Sequence, residues 1–101
     1  MSILHGRTII AIIDRTYKFT VTFHGWDGLP EDPEMVYVKL YNTSEQLIEN
    51  TDITANRDSV GVYWYTKTWD VTSQGVWYLE FSGSIGTTNS NLRFLVQVKF
   101  I

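Results

Sequence analysis

Residues 16–23, TYKFTVTF, place Tyr17, Phe19, Val21 and Phe23 on one face of an extended chain and Lys18, Thr20 and Thr22 on the other. That is the two-residue period of a half-buried β-strand. The period returns at 34–41, where Val36, Val38 and Leu40 alternate with Met35, Tyr37, Lys39 and Tyr41, and at 76–82, where Trp77, Leu79 and Phe81 stand opposite Val76, Tyr78 and Glu80. In 92–101 it groups Leu92, Phe94, Val96, Val98 and Phe100. No window of helical length keeps apolar residues at i, i+3, i+4 and i+7 without interruption, so the chain is nearly all strand and loop.

Three further strands complete the reading: TIIAII (8–13), a short edge strand at QLIEN (46–50), and VGVYWYTKTW (60–69), where Tyr63 and Tyr65 are taken as inward. HGWDGLPEDP (24–33), DVTSQG (70–75) and GSIGTTNSN (83–91) carry turn and loop chemistry. Asp58-Ser59 reads as a self-stabilising turn. About seven short strands predict an all-β antiparallel sandwich, with a shared core of Phe19, Val21, Val36, Val38, Tyr63, Tyr65, Trp77, Leu79, Phe81, Phe94 and Val96. At 101 residues the chain forms one domain, 1–101, and is too short for two.

With no cysteine, disulfides, thiolate nucleophiles and Cys-based metal sites are excluded, and the fold stands on packing. Eight basic residues lie singly among eleven acids, which leaves no cationic stripe and argues against nucleic acid as a partner. The longest apolar run, 9–13, is far short of the roughly 20 residues of a membrane helix, so no membrane is expected as a partner. The opening residues lack the pattern of a signal peptide, and synthesis in the cytoplasm is expected.

Catalytic signals are absent. His5 and His24 are the only histidines and show no metal-ligand spacing, and there is no G-x-S-x-G. Asp27, Glu31, Asp32 and Glu34 are the best acids for calcium, yet their spacing is not that of an EF-hand; the simpler account is a solvated loop in which Pro30 and Pro33 fix the entry to the next strand. No enzyme, metal or cofactor is expected.

Two sets of residues point to binding instead. The strand 8–13 is apolar on both faces, Ile9 and Ile13 with Ala11 on one and Ile10 and Ile12 on the other, which leaves a face to be covered by the domain itself or by a partner chain. Outward Tyr78 and Leu95 belong with it, and residues 1–13 are a candidate docking arm. Trp26, Trp64 and Trp69 are candidates for stacking on sugar rings, although Trp64 and Trp69 fall on opposite parities of one strand, which makes one of them a core candidate.

GLPEDPEMVYVKLY (28–41), NRDSVGVYWYTKTW (56–69) and GVWYLEFSG (75–83), in this order and spacing, resemble the small immunoglobulin-like β-sandwich domains of tailed-bacteriophage virion proteins. The shared pattern is a G-x-P-x-D-P loop before a Val-alternating strand, then R-D-x-x-G-x-Y-x-Y, then G-x-W-x-x-x-x-S-G. The resemblance implies an immunoglobulin-like fold and a non-enzymatic role in the virion, as capsid decoration or cement protein, neck or tail adaptor, or fibre module. It implies other virion subunits as partners and a multi-copy or homo-oligomeric state. It also implies that Gly28, Pro30, Asp32 and Pro33 shape the crossing between sheets. With no capsid-fold or tail-tube segment in these 101 residues, a free-standing accessory protein is expected. Similar domains in bacterial surface proteins keep a second reading open, a carbohydrate-binding adhesion module of a phage or bacterial surface protein.

Overall fold

The computed structural model describes residues 4–99, which form eight strands and one turn of 3-10 helix. The strands are β1 (Leu4–Ile12), β2 (Thr16–Thr22), β3 (Val36–Tyr41), β4 (Leu47–Asp52), β5 (Arg57–Ser59), β6 (Val62–Thr68), β7 (Gly75–Ile85) and β8 (Thr88–Lys99). One sheet has the order β1-β8-β7-β3-β4 and the other β2-β6-β5. Setting β2-β6-β5 against β8-β7-β3 gives an immunoglobulin-like sandwich, with β4 added at one edge.

The alternation puts Phe19, Val21, Val36, Val38, Tyr63, Leu79, Phe81 and Val96 in the core as expected, with Tyr65, Trp77 and Phe94 half-buried against it. Rings meet edge to face: Phe81 on Phe94 at 6.0 Å, and Phe23 on Tyr63 at 6.0 Å. Trp77, near the start of β7, donates from Nε1 to the carbonyl of Ser73 at 2.7 Å, as the tyrosine of an immunoglobulin corner does with its hydroxyl. Where β4 and β6 face each other across the gap between sheets, Glu49 accepts from Lys67 Nζ (2.9 Å) and Tyr65 Oη (3.3 Å).

The three sequence stretches converge on one joint. Asp32 Oδ1 accepts from the backbone N–H of Gly61 (2.8 Å) and from Tyr63 Oη (3.2 Å), while Arg57 Nε reaches both carboxylate oxygens at 3.0 and 3.1 Å. Gly61 has φ +74°, and a Cβ there would lie 2.7 Å from the Phe23 carbonyl, so only glycine serves. At Gly83 a Cβ would meet the Phe23 ring at 2.6 Å and Pro33 at 3.0 Å. The long acidic approach to β3 is therefore a strut between the sheets.

Four expectations change. The pairing is antiparallel everywhere except between β1 and β8, which run parallel. The turn after β1 crosses to the opposite sheet, with Ile13 N–H on Lys99 O (3.0 Å) and Asp14 N–H on Trp69 O (2.8 Å), so β1 cannot form a hairpin with β2 and takes the edge beside β8. Asp58-Ser59 lies in β5, an eighth strand: Arg57 pairs with Tyr63 and Ser59 with Val62 through a bulge, and the turn is displaced to Val60-Gly61. Residues 83–85 and 88–91 are paired strand, because a tight turn at Gly86-Thr87 lets β7 and β8 zip from Ile85↔Thr88 onward. Finally, the core gains Ile53, from outside the strands, and Trp69, which of the two tryptophans of opposite parity is the core one; each is 1% exposed.

Candidate binding surface

β1 occupies the edge of its sheet, paired to β8 on one side only among the described residues. From Thr8 to Ile12 it has no charged residue; the features that usually protect an edge, the basic Arg7 and the register shift between His5 and Thr8, both precede that run. The alternation is as expected. Ala11 is fully buried, Ile13 is 9% exposed and Ile9 packs against the core, whereas Ile10 is 54% exposed and Ile12 half-buried on the outer face. Of the predicted interface residues, Ile9 and Ile13 thus serve the core, and the side chains left for a partner on this strand are Ile10 and Ile12. The candidate docking arm, residues 1–13, is from Leu4 onward an integral strand; residues 1–3 lie outside the described residues.

Tyr78 and Leu95 are cross-strand partners on the same outer face. The register extends them into one row across the whole sheet, Thr8–Leu95–Tyr78–Tyr41–Leu47, with Ile10–Gln97–Val76 beside it. Leu47, at the far edge, is 51% exposed. Tyr41, Val76 and Leu47 escape a strand-by-strand reading, since only the register shows that they align with Tyr78 and Leu95.

The next row holds an ion pair. Glu80 is 5% exposed although it points out of the sandwich. Arg93 donates to its Oε2 from Nη2 (2.9 Å) and Nε (3.1 Å), and the guanidinium lies 4.8 Å from the ring centre of Tyr41 and 5.5 Å from that of Tyr78. Arg93 Nη1 also meets Glu45 at 3.4 Å at the rim. Burial, and after it the Glu80 charge, raise the Tyr41 hydroxyl above its usual pKa, so it stays a neutral polar group at the surface. The face offers flat apolar and aromatic area, hydroxyl tips and one fixed charge pair, the composition of a protein-binding surface.

The tryptophans do not form a shared platform. Trp69 is 1% exposed and stacks edge-on against Phe19 at 6.0 Å, which removes it as a sugar-stacking residue. Trp64 is half-buried on the outer face of the three-stranded sheet, with Lys18 Nζ 5.4 Å from its ring centre. Trp26, 91% exposed, projects from the loop after β2.

Asp32 is committed to the joint described above, and its carboxyl is held below the ordinary value of 3.8 chiefly by Arg57 and then by the Gly61 N–H. Asp27 Oδ1 accepts from Leu29 N–H within its own turn (3.0 Å). Among the described residues no three His, Asp or Glu side chains converge as metal ligands. No protein-family model matches the chain, and no curated protein matches its sequence.

Proposed function

We propose that this protein is a non-enzymatic subunit of a tailed-phage virion, a capsid decoration, cement or neck- or fibre-attachment module that docks on neighbouring virion subunits through the β1 edge and the adjoining outer face. The observation that carries the reading is the uncharged run from Thr8 to Ile12 of the edge strand, with Ile10 exposed beside the row that runs from Thr8 through Leu95 to Leu47. An open strand edge offers backbone donors and acceptors to an incoming strand, and alternate side chains give that pairing its specificity. The virion is favoured as its place of work by the three sequence stretches, whose residues Asp32, Gly61 and Gly83 build the inter-sheet joint.

The test is mass spectrometry of gradient-purified particles produced with the wild-type chain and with the double variant Ile10→Asp, Ile12→Asp. The wild-type chain is expected in many copies per particle, and the double variant, folded by circular dichroism, is expected to be lost from particles. A chain absent from particles, or a double variant incorporated at the wild-type level, refutes the proposal.

A further inference from the structure

One end of the sandwich carries a cleft that the docking face does not use. Its walls are two hairpin tips. The first is the loop after β2, closed by Gly25 N–H on Leu29 O (2.9 Å), Gly28 N–H on Gly25 O (3.0 Å), Glu31 N–H on Phe23 O (2.9 Å) and the bridge between His24 and Pro30. The second is the β7–β8 turn. Between them the cleft is lined by His24, Gly25, Trp26, Ile85, Thr88 and Ser90.

Three properties of this lining define what fits it. Trp26 offers a broad indole at 91% exposure from a loop whose own backbone bonds keep it in place, so binding orders little further. Ile85 supplies apolar surface on the opposite wall. The side chains of His24, Thr88 and Ser90 stand beside them and form no hydrogen bond to another described residue, so among the described residues nothing competes with a ligand for their donors and acceptors. Among the described residues no Asp, Glu, Lys or Arg lines the cleft, which disfavours a phosphate, a carboxylate or a cation.

A neutral pyranose has the complementary surface, a face of C–H groups ringed by hydroxyls that both donate and accept. From this match we infer that the cleft is a binding site for a neutral glycan, with a hexopyranose unit stacked on Trp26 and its hydroxyls held by His24, Thr88 and Ser90. The site is separate from the docking strand. The first described pair of β1 and β8, Leu4↔Leu92, is already below the tip, and Ile10 and Ile12 lie further down, opposite Gln97 and Lys99. A copy docked through Ile10 and Ile12 keeps its cleft open to a second surface.

The experiment is a printed array of neutral hexose and N-acetylhexosamine oligosaccharides, with sulfated and sialylated spots included, probed with the full chain and followed by titration of any glycan bound. Binding to at least one neutral glycan is expected. Trp26→Ala should weaken it about tenfold or more, the double variant Thr88→Val, Ser90→Ala should weaken it several-fold, and Trp64→Ala should leave it unchanged. Because Trp26 is so exposed, its replacement is expected to leave the thermal midpoint in place, which separates lost binding from lost folding. No neutral glycan bound, binding confined to acidic spots, or affinity that survives Trp26→Ala or falls equally with Trp64→Ala overturns the inference.

Discussion

On the outer face of the three-stranded sheet the register sets Thr16 against Thr68, Lys18 against Thr66 and Thr20 against Trp64. On the outer face of the five-stranded sheet it sets Leu95 against Tyr78 and Tyr78 against Tyr41, with Glu80 and Arg93 opposite each other one row away. The first face is rich in threonine hydroxyls, with Thr16 and Thr68 bonded to each other. The second withdraws a carboxylate to 5% exposure under its neighbours and then exposes isoleucine and leucine at its two edges. The two faces thus differ in kind, and the docking proposed above concerns only the second.

The sharpest way to break this comparison is to cut the ion pair. Glu80→Ala leaves the Arg93 guanidinium, 16% exposed, with only the 3.4 Å contact to exposed Glu45 at the rim, and an unfolding free energy lower by about 3 kcal/mol is expected in urea titration. A cost below about 1 kcal/mol, the usual value of an exposed pair, would make the two faces equivalent.

Titration separates the faces from the frame that holds them. Asp32 is lowered below 3.8 mainly by Arg57, and Asp52 and Asp70 are lowered mainly by the hydroxyls of Thr54 and Thr72. A lowered carboxyl contributes stability above its unfolded pKa and loses it as pH falls through the folded one, so the urea midpoint should hold down to about pH 5 and decline below about pH 4. Asp32→Asn should flatten that limb. At the alkaline end Tyr65, pushed up to about 12 by burial and then by Glu49, loses its contribution as pH rises from 10 toward 12.

The smallest effects belong to the hydroxyl face. Thr16→Val removes the 2.6 Å bond between Thr16 Oγ1 and Thr68 Oγ1, and Lys18→Ala removes the ammonium over Trp64. Each should change unfolding free energy by no more than about 0.5–1 kcal/mol, measured in the same urea titration. A larger loss at either position would mean that this face, too, carries structure of its own.

Much of this architecture was legible because one buried face imposes alternation on β2, β3, β7 and β8. The expected edge strand at 46–50 also matches β4 (Leu47–Asp52). Trp69 was half-legible, as one of two tryptophans of opposite parity and on the parity of Tyr63 and Tyr65, whereas Ile53 was not legible as core, for it enters from a connecting segment where no period operates. Nor does alternation state strand direction, which is why the parallel pairing of β1 escaped it. The proposed docking face was half-visible: Ile10, Ile12, Tyr78 and Leu95 were marked by parity, whereas Tyr41, Val76 and Leu47 depended on register. The cleft shows the same limit. Trp26 stands out as a loop aromatic, but Ile85, Thr88 and Ser90 come from a hairpin far along the chain and meet it only in space.

The parallel pairing of β1 with β8 also fixes an order of events during synthesis. Residues 4–12 leave the ribosome first among the strands, yet their only described backbone partners run from Leu92 to Lys99. Contacts so distant in sequence close late and slowly. Until then a strand with an uncharged, mostly isoleucine run from Thr8 to Ile12 waits unpaired, in the interval when nascent chains are most exposed to aggregation. Once closed, that edge exists only on copies made through Lys99, and any subunit that recognises it selects completed chains over truncated ones.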